Sequence, residues 1–230
     1  MDDAPTTEAA FRTEARAFLE GVPDMLDGID QPLERARRYL GARFDAGLGA
    51  LDYAVEYGGR GLDRGFVDIF RDEASGREPG GNDAGLGIGI GMCLPTIRDH
   101  GSDALKDRFL RPGLRGEEVW CQLFSEPGAG SDVAGLSCRA VRDGDEWVVN
   151  GQKVWTSNAH LARWGLLVTR TDPDAPKHRG MTYFGIDLHQ PGVEIRPLRQ
   201  MTGQAEFNEI YLTDARVSEA DRMGDVGDGW

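Results

Sequence analysis

Apolar residues recur at helical spacing in the first half of the chain and at alternate positions in the second. Phe11, Ala15, Phe18 and Leu19 share one helical face behind a capping Thr7, and Gly21 and Pro23 end that segment. Pro32 suits the first turn of a second helix carrying Leu33, Ala36, Arg37 and Leu40. Asp63 predicts the cap of a third through Phe66, Ile69 and Phe70. Ser102 predicts the cap of a fourth through Leu105 and Leu110, ending near Pro112. Residues 84–92 place glycine at nearly every second position; the preferred reading is a buried helix whose small face admits another backbone. From about Val119 the period changes to two. Strands are predicted at 139–142, 147–149, 152–156, 165–169, 182–188, 193–196 and 207–212, with hairpin turns at Asp143-Gly144 and Asn150-Gly151. Helices followed by many short strands make an α+β chain whose second half is a sandwich or barrel.

Size and charge set bounds on this picture. A chain of 230 residues holds one large domain or two modest ones. The formal charge of -13 argues against a nucleic-acid surface, which needs a basic stripe. An anionic small ligand stays open, because local amides and a few cations override the global field. Cys93, Cys121 and Cys138 are odd in number and form no C-x-x-C pair, so neither a disulfide framework nor a zinc site is expected, and a reducing cytoplasm is. His100, His160, His178 and His189 show no H-x-x-x-H spacing. No apolar run approaches the 18 residues of a membrane span, and the acidic start is no secretory signal.

Two stretches carry chemistry. Ser125-Glu126-Pro127-Gly128-Ala129-Gly130-Ser131-Asp132 is poor helix and poor strand. It suits a loop that brings amides and hydroxyls against a large, flat, anionic ligand. Val154-Trp155-Thr156-Ser157-Asn158 sets an aromatic face beside two hydroxyls. Together they propose a nucleotide-type cofactor. Trp147 and Trp164 read as core, Asp132 as a cap or brace for its loop, and His100 and His160 carry no assigned chemistry.

These stretches also carry a resemblance. Residues 122–132, beginning Gln122-Leu123-Phe124, are similar to the first flavin segment of the acyl-CoA dehydrogenase family, and residues 150–158 to its second. Residues 56–62 and 207–212 fit as well, so the resemblance spans roughly 10–230. It implies an all-α N-terminal domain at 6–117 and an antiparallel β-barrel at 118–222. Residues 223–230 would then start a linker toward an absent C-terminal helical domain. It implies FAD as cofactor, an acyl-CoA substrate oxidised to the trans-2-enoyl-CoA, an electron-transferring flavoprotein as partner, and a homo- or hetero-oligomer. Residue by residue, Gln122, Leu123, Phe124 and Ser125 match the stretch whose donors meet the pyrimidine end of the flavin. Gly130 and Ser131 match positions near the pyrophosphate, and Ser131 also a substrate contact. Trp155 matches the tryptophan against the isoalloxazine, Thr156 its neighbour, and Ser157 the hydroxyl at flavin N5. Ser stands at 125 and 157 where the family often has Thr.

The family's catalytic base is a glutamate of the C-terminal domain, so no carboxylate here, Glu126 included, is assigned that role. The chain is expected to be truncated or a fragment. Two alternatives remain beside dehydrogenation: a flavin oxidase or monooxygenase on the same scaffold, and a non-catalytic subunit that binds CoA or a partner.

Overall fold

The computed structural model describes residues 7–79 and 85–230. They divide into two compact units: one of the described residues through Gly87 with Leu110–Glu117, the other of Ile88–Phe109 with Glu118–Trp230.

The first unit is helical. Helix α1 (Glu8–Glu20) begins where Thr7 accepts a hydrogen bond from the Ala10 amide, and α2 (Val22–Met25) is a short turn around Pro23. Helix α3 (Pro32–Asp45) starts on its proline; α4 (Arg64–Ala74) starts where Asp63 accepts from the Gly65 amide. Phe11, Ala15 and Leu19 of α1 pack with Tyr39, Ile69 and Phe70 in one cluster, so the predicted faces of α1 and α4 turn inward, whereas on α3 Ala36, Tyr39 and Phe44 are buried and Leu33, Arg37 and Leu40 only half-buried. The connector at 56–62 folds tightly. A Cβ on Gly59 would lie 2.0 Å from the Tyr53 carbonyl oxygen, so only glycine fits.

The second unit is a sheet with helical cover of its own. Residues Gly89–Cys93 form a π-helical turn that runs into α5 (Leu94–His100). A Cβ on Gly89 would sit 3.3 Å from Cβ of Trp120, so the small face expected there does admit a close neighbour. Ala84, the first residue of that predicted stretch, lies outside the described residues. Helix α6 (Asp103–Leu114) is capped by Ser102 and ends two residues past Pro112.

The strands are β1 (Trp120–Leu123), β2 (Arg139–Asp143), β3 (Glu146–Ser157), β4 (Trp164–Arg170), β5 (Met181–Asp187), β6 (Val193–Leu198), β7 (Phe207–Ser218) and β8 (Arg222–Met223). They make one eight-stranded sheet in the order β6-β7-β3-β2-β4-β5-β8, with β1 added on β4. The order of helices then strands is as expected. The sheet is mixed rather than wholly antiparallel, because β1 and β2 both run parallel to β4. Every residue of β4 is buried, the pattern of a strand covered on both faces. Residues after β8 continue along β5, where the Gly229 amide donates to Met181 O.

The hairpin expected at Asn150-Gly151 is not formed; β3 runs through it unbroken. Pairing with β7 wins over the turn. Asn150 accepts from the Asp214 amide and donates to its carboxylate, and β7 holds one extra residue there, with Asp214 at φ 51°. Gly151 serves packing: a Cβ on it would lie 2.7 Å from Cys138.

Candidate cofactor site

The first stretch leaves the end of β1, where Leu123 is wholly buried beside Gly165. Only its backbone can therefore face a ligand. Gln122, Phe124 and Ser125 are half-buried; Gly130 and Ser131 are exposed. The loop closes on itself through paired bonds between Glu126 and Ala129, amide to carbonyl in both directions at 3.0 Å. Ala129 packs with Ala134, Val168 and Met181, which fixes the loop on the sheet. Asp132 braces its far side by an ion pair with Lys177, at 2.8 Å from the nearer oxygen. A Cβ on Gly128 or Gly130 would meet nothing within 4 Å, and neither has a positive φ. No contact among the described residues requires glycine at either place, which leaves the backbone there open to close approach.

The second stretch lies on β3, and its geometry turns on one bulge. Lys153 pairs with Ile210 and Thr156 with Asn208, so Val154 and Trp155 together oppose a single residue of β7. Trp155 adopts φ 61°, and this reverses the alternation of the strand. Trp147, Val149 and Lys153 point into the core; after the bulge Val154 and Thr156 do, and Trp155 points outward, 62% exposed. Its ring meets Phe207 edge-on at 6.1 Å. Thr156 is 1% exposed. Its carbonyl accepts from Nδ2 of buried Asn208 at 2.9 Å, while its own Oγ1 is a buried polar atom without a partner among the described residues. Ser157 is half-buried opposite Phe207, and the Asn158 amide donates to Glu206 O at 2.7 Å.

The two stretches meet. The Val154 amide donates to Ser125 O at 2.9 Å. Lys153, 0% exposed, donates from Nζ to Phe124 O at 3.0 Å and to Glu126 Oε1 at 2.9 Å. The Glu126 carboxylate also accepts from the Ser137 amide and hydroxyl and from the Cys138 amide. Burial works to raise the Glu126 pKa, yet Lys153 and the backbone donors hold it below the usual carboxylate range. Glu126 is thus a fixed anion and a poor proton acceptor. Lys153 and Asn208 were not among the residues singled out from the sequence, and Glu126 was named only as a carboxylate not assigned as the base. The available signal was a lysine at the buried phase of a period-two strand, following Trp147 and Val149.

Beside Phe124 lies a cavity of about 480 Å³, lined among others by Gly91, Pro95, Thr96, Leu166 and Tyr183. Its size suits a small-molecule group, and its wall is mostly apolar apart from the Asp99 side. Asp99 is paired with Arg98 at 2.7 Å, and that hydrogen bond holds its carboxyl below the ordinary value. A larger groove in the helical unit, about 970 Å³, is lined by charged side chains already paired with one another, such as Arg37 with Glu34 and Arg115 with Asp45.

Open glycines, the exposed Ser131 and an exposed indole are carried on one clasped loop and strand, a surface suited to a flat, anionic ligand. Comparison with known proteins narrows this reading. The N-terminal domain of acyl-CoA dehydrogenase matches residues 5–117 and its middle domain residues 121–215. Over 232 residues, 96% of this chain and 59% of the relative, the sequence is 44% identical to acyl-CoA dehydrogenase IpdE1 of Mycobacterium tuberculosis. The ChsE4-ChsE5 complex from Mycobacterium tuberculosis superposes with a TM-score of 0.77 at 33% identity, covering 100% of this chain and 59% of that one. The Tcur3481-Tcur3483 steroid ACAD gives 0.75 at 30% identity, covering 100% and 60%. The chain belongs to the acyl-CoA dehydrogenase family, whose members are FAD-dependent flavoproteins. It spans less than two thirds of the length of these relatives. No helix among the described residues is long and apolar enough to cross a membrane.

Proposed function

We propose that the protein takes part in FAD-dependent α,β-dehydrogenation of an acyl-CoA thioester to the trans-2-enoyl-CoA, passing electrons to an electron-transferring flavoprotein. The observation that carries this reading is the joining of residues 122–126 to residues 153–158 through Ser125, Val154 and Lys153. The residues fit the cofactor: Gly130 leaves room for close approach, and Trp155 offers a flat exposed face.

FAD bound there supplies the acceptor for a hydride from the substrate β-carbon. Gln122, Leu123, Phe124 and Ser125 would hold its pyrimidine end, where donors favour the charge that reduction develops. Trp155 would lie against the isoalloxazine and Ser157 at its N5, with Thr156 between them. Gly130 and Ser131 would hold the phosphates, and Ser131 also the substrate. Glu126 and Asp99 are both held ionised by their partners, and neither is assigned α-proton abstraction. The cavity beside Phe124 receives apolar acyl atoms. A steroid ACAD and a two-component complex among the structural relatives support a bulky polycyclic acyl group and assembly with a second chain of this family.

Anaerobic titration of the FAD-loaded protein with acyl-CoA thioesters of linear, branched and sterol-derived type tests the reading. Bleaching of the oxidised flavin bands by the sterol-derived thioester is expected. An oxidised spectrum unchanged by all three refutes it, and fast peroxide formation in air assigns an oxidase instead.

A further inference from the structure

Lys153 and Val154 are adjacent on β3, and they hold two adjacent carbonyls of the first stretch, Phe124 O and Ser125 O. The described chain has no cis peptide bond, so each amide points opposite to the carbonyl of its own peptide unit. With Phe124 O drawn toward Lys153, the Ser125 N–H is aimed the other way, out of the clasp. A cation bonded to the carbonyl end of a peptide withdraws electron density through it and makes the N–H at the far end a stronger donor. A buried ion pair is weak evidence for stability, since apolar side chains of similar volume commonly serve as well. Lys153 is entirely buried, and four donors converge on Glu126.

We infer that Lys153 is a positioning residue that polarises the Phe124–Ser125 peptide toward the cofactor, with Glu126 as its fixed counter-charge, so that the pair tunes the reduction potential of bound FAD. The inference rests on the flavin reading given above. It assigns Lys153 no proton transfer and no contact with substrate.

The test compares FAD-loaded wild type, K153M, K153R, E126Q and the double variant E126Q/K153M by midpoint potential, flavin absorption and FAD dissociation constant. K153M removes the cation and leaves the anion, so the potential moves negative and FAD dissociates roughly tenfold more readily, the scale of one charge-assisted bond. E126Q leaves the cation uncompensated while keeping one oxygen acceptor, for either the Ser137 or the Cys138 amide, so the potential moves positive. Opposite signs are the signature, because a purely structural clasp lost in either variant displaces the potential the same way. K153R keeps the charge and restores much of the wild-type potential. The double variant carries no buried ion and supplies a folded reference should K153M be poorly folded. Shifts of the same sign in K153M and E126Q, or no shift in any variant that holds FAD, overturn the proposal alone. Failure of the wild-type protein to take up FAD overturns the flavin reading and this proposal with it.

Discussion

Replacing Trp155 separates two roles that one residue plays on β3. Its φ of 61° belongs to the left-handed region, which costs a side-chain-bearing residue roughly 1–2 kcal/mol. The indole offsets part of this inside the chain through one edge contact to Phe207, worth roughly 0.5–1.5 kcal/mol, and is otherwise 62% exposed. W155A keeps the strain and loses the contact. W155G loses the contact and relieves the strain, at a cost of roughly 0.5–1 kcal/mol for the freer unfolded chain. In the absence of FAD, W155G is therefore expected to be about 1 kcal/mol more stable than W155A and close to wild type. For a chain of this length that difference is about 2–4 °C in Tm.

With FAD the ordering against wild type changes. Both variants lack the aromatic face, so both should bind FAD roughly 2- to 12-fold more weakly, the scale of one lost stacking contact. Thermal unfolding of the apoprotein, followed by flavin titration, reads both effects. W155A equal to or more stable than W155G refutes the claim that the bulge stores strain at this residue. Wild-type FAD affinity in both variants refutes its place beside the cofactor.

Other outcomes follow from the same geometry. Glu126 has a folded pKa below its unfolded value, so its contribution to stability is present above the ordinary carboxylate range near pH 4 and is lost as pH falls through the folded pKa. Denaturant midpoints between pH 3 and 6 should show an acid limb that E126Q flattens; an unchanged limb would place the acid sensitivity elsewhere. Cys93, Cys121 and Cys138 are buried, and burial pushes Cys93 up to about 12 and Cys138 to about 11. Native protein should consume almost no thiol reagent and denatured protein three equivalents, and fast native labelling would contradict the packing. N208A withdraws the donors from Thr156 O and Glu206 O, so it should cost about 1–3 kcal/mol and loosen FAD; stability equal to wild type would show that water replaces the amide.

The helices were legible because their caps and their buried faces agree. Thr7, Asp63 and Ser102 each make the cap bond that their position announced, and Phe11, Leu19, Ile69 and Phe70 fall in one core. The two cofactor stretches were legible as loop and aromatic strand. What the local pattern could not carry was pairing. Asn150-Gly151 has good turn chemistry, but the decisive partner, Asp214, lies 64 residues away. The parallel placement of β1 and β2 against β4 likewise depends on chain far from either strand. Glu126 and Lys153 are polar residues, 27 positions apart, whose burial makes sense only once the intervening chain has brought them together.

Alternation along β3 shows why the bulge and the lysine belong to one device. Continued from Trp147 and Val149 without interruption, a period of two would carry both Lys153 and Trp155 inward. A single extra residue between them leaves Lys153 inside, where it grips Phe124 and Glu126, and turns Trp155 outside. A strand lacking the bulge could satisfy one requirement and not the other: an inward indole would crowd the lysine, and a register moved by one would expose the lysine and free the first stretch. Asn208 sits opposite Thr156 at the point where pairing resumes and bonds its carbonyl, which fixes where the alternation restarts. The position of the aromatic face relative to the loop amides is thus set by backbone pairing on both sides of the bulge. A site held in this way resists small rotations of its donors, which is the condition for electrostatic preorganisation around developing charge.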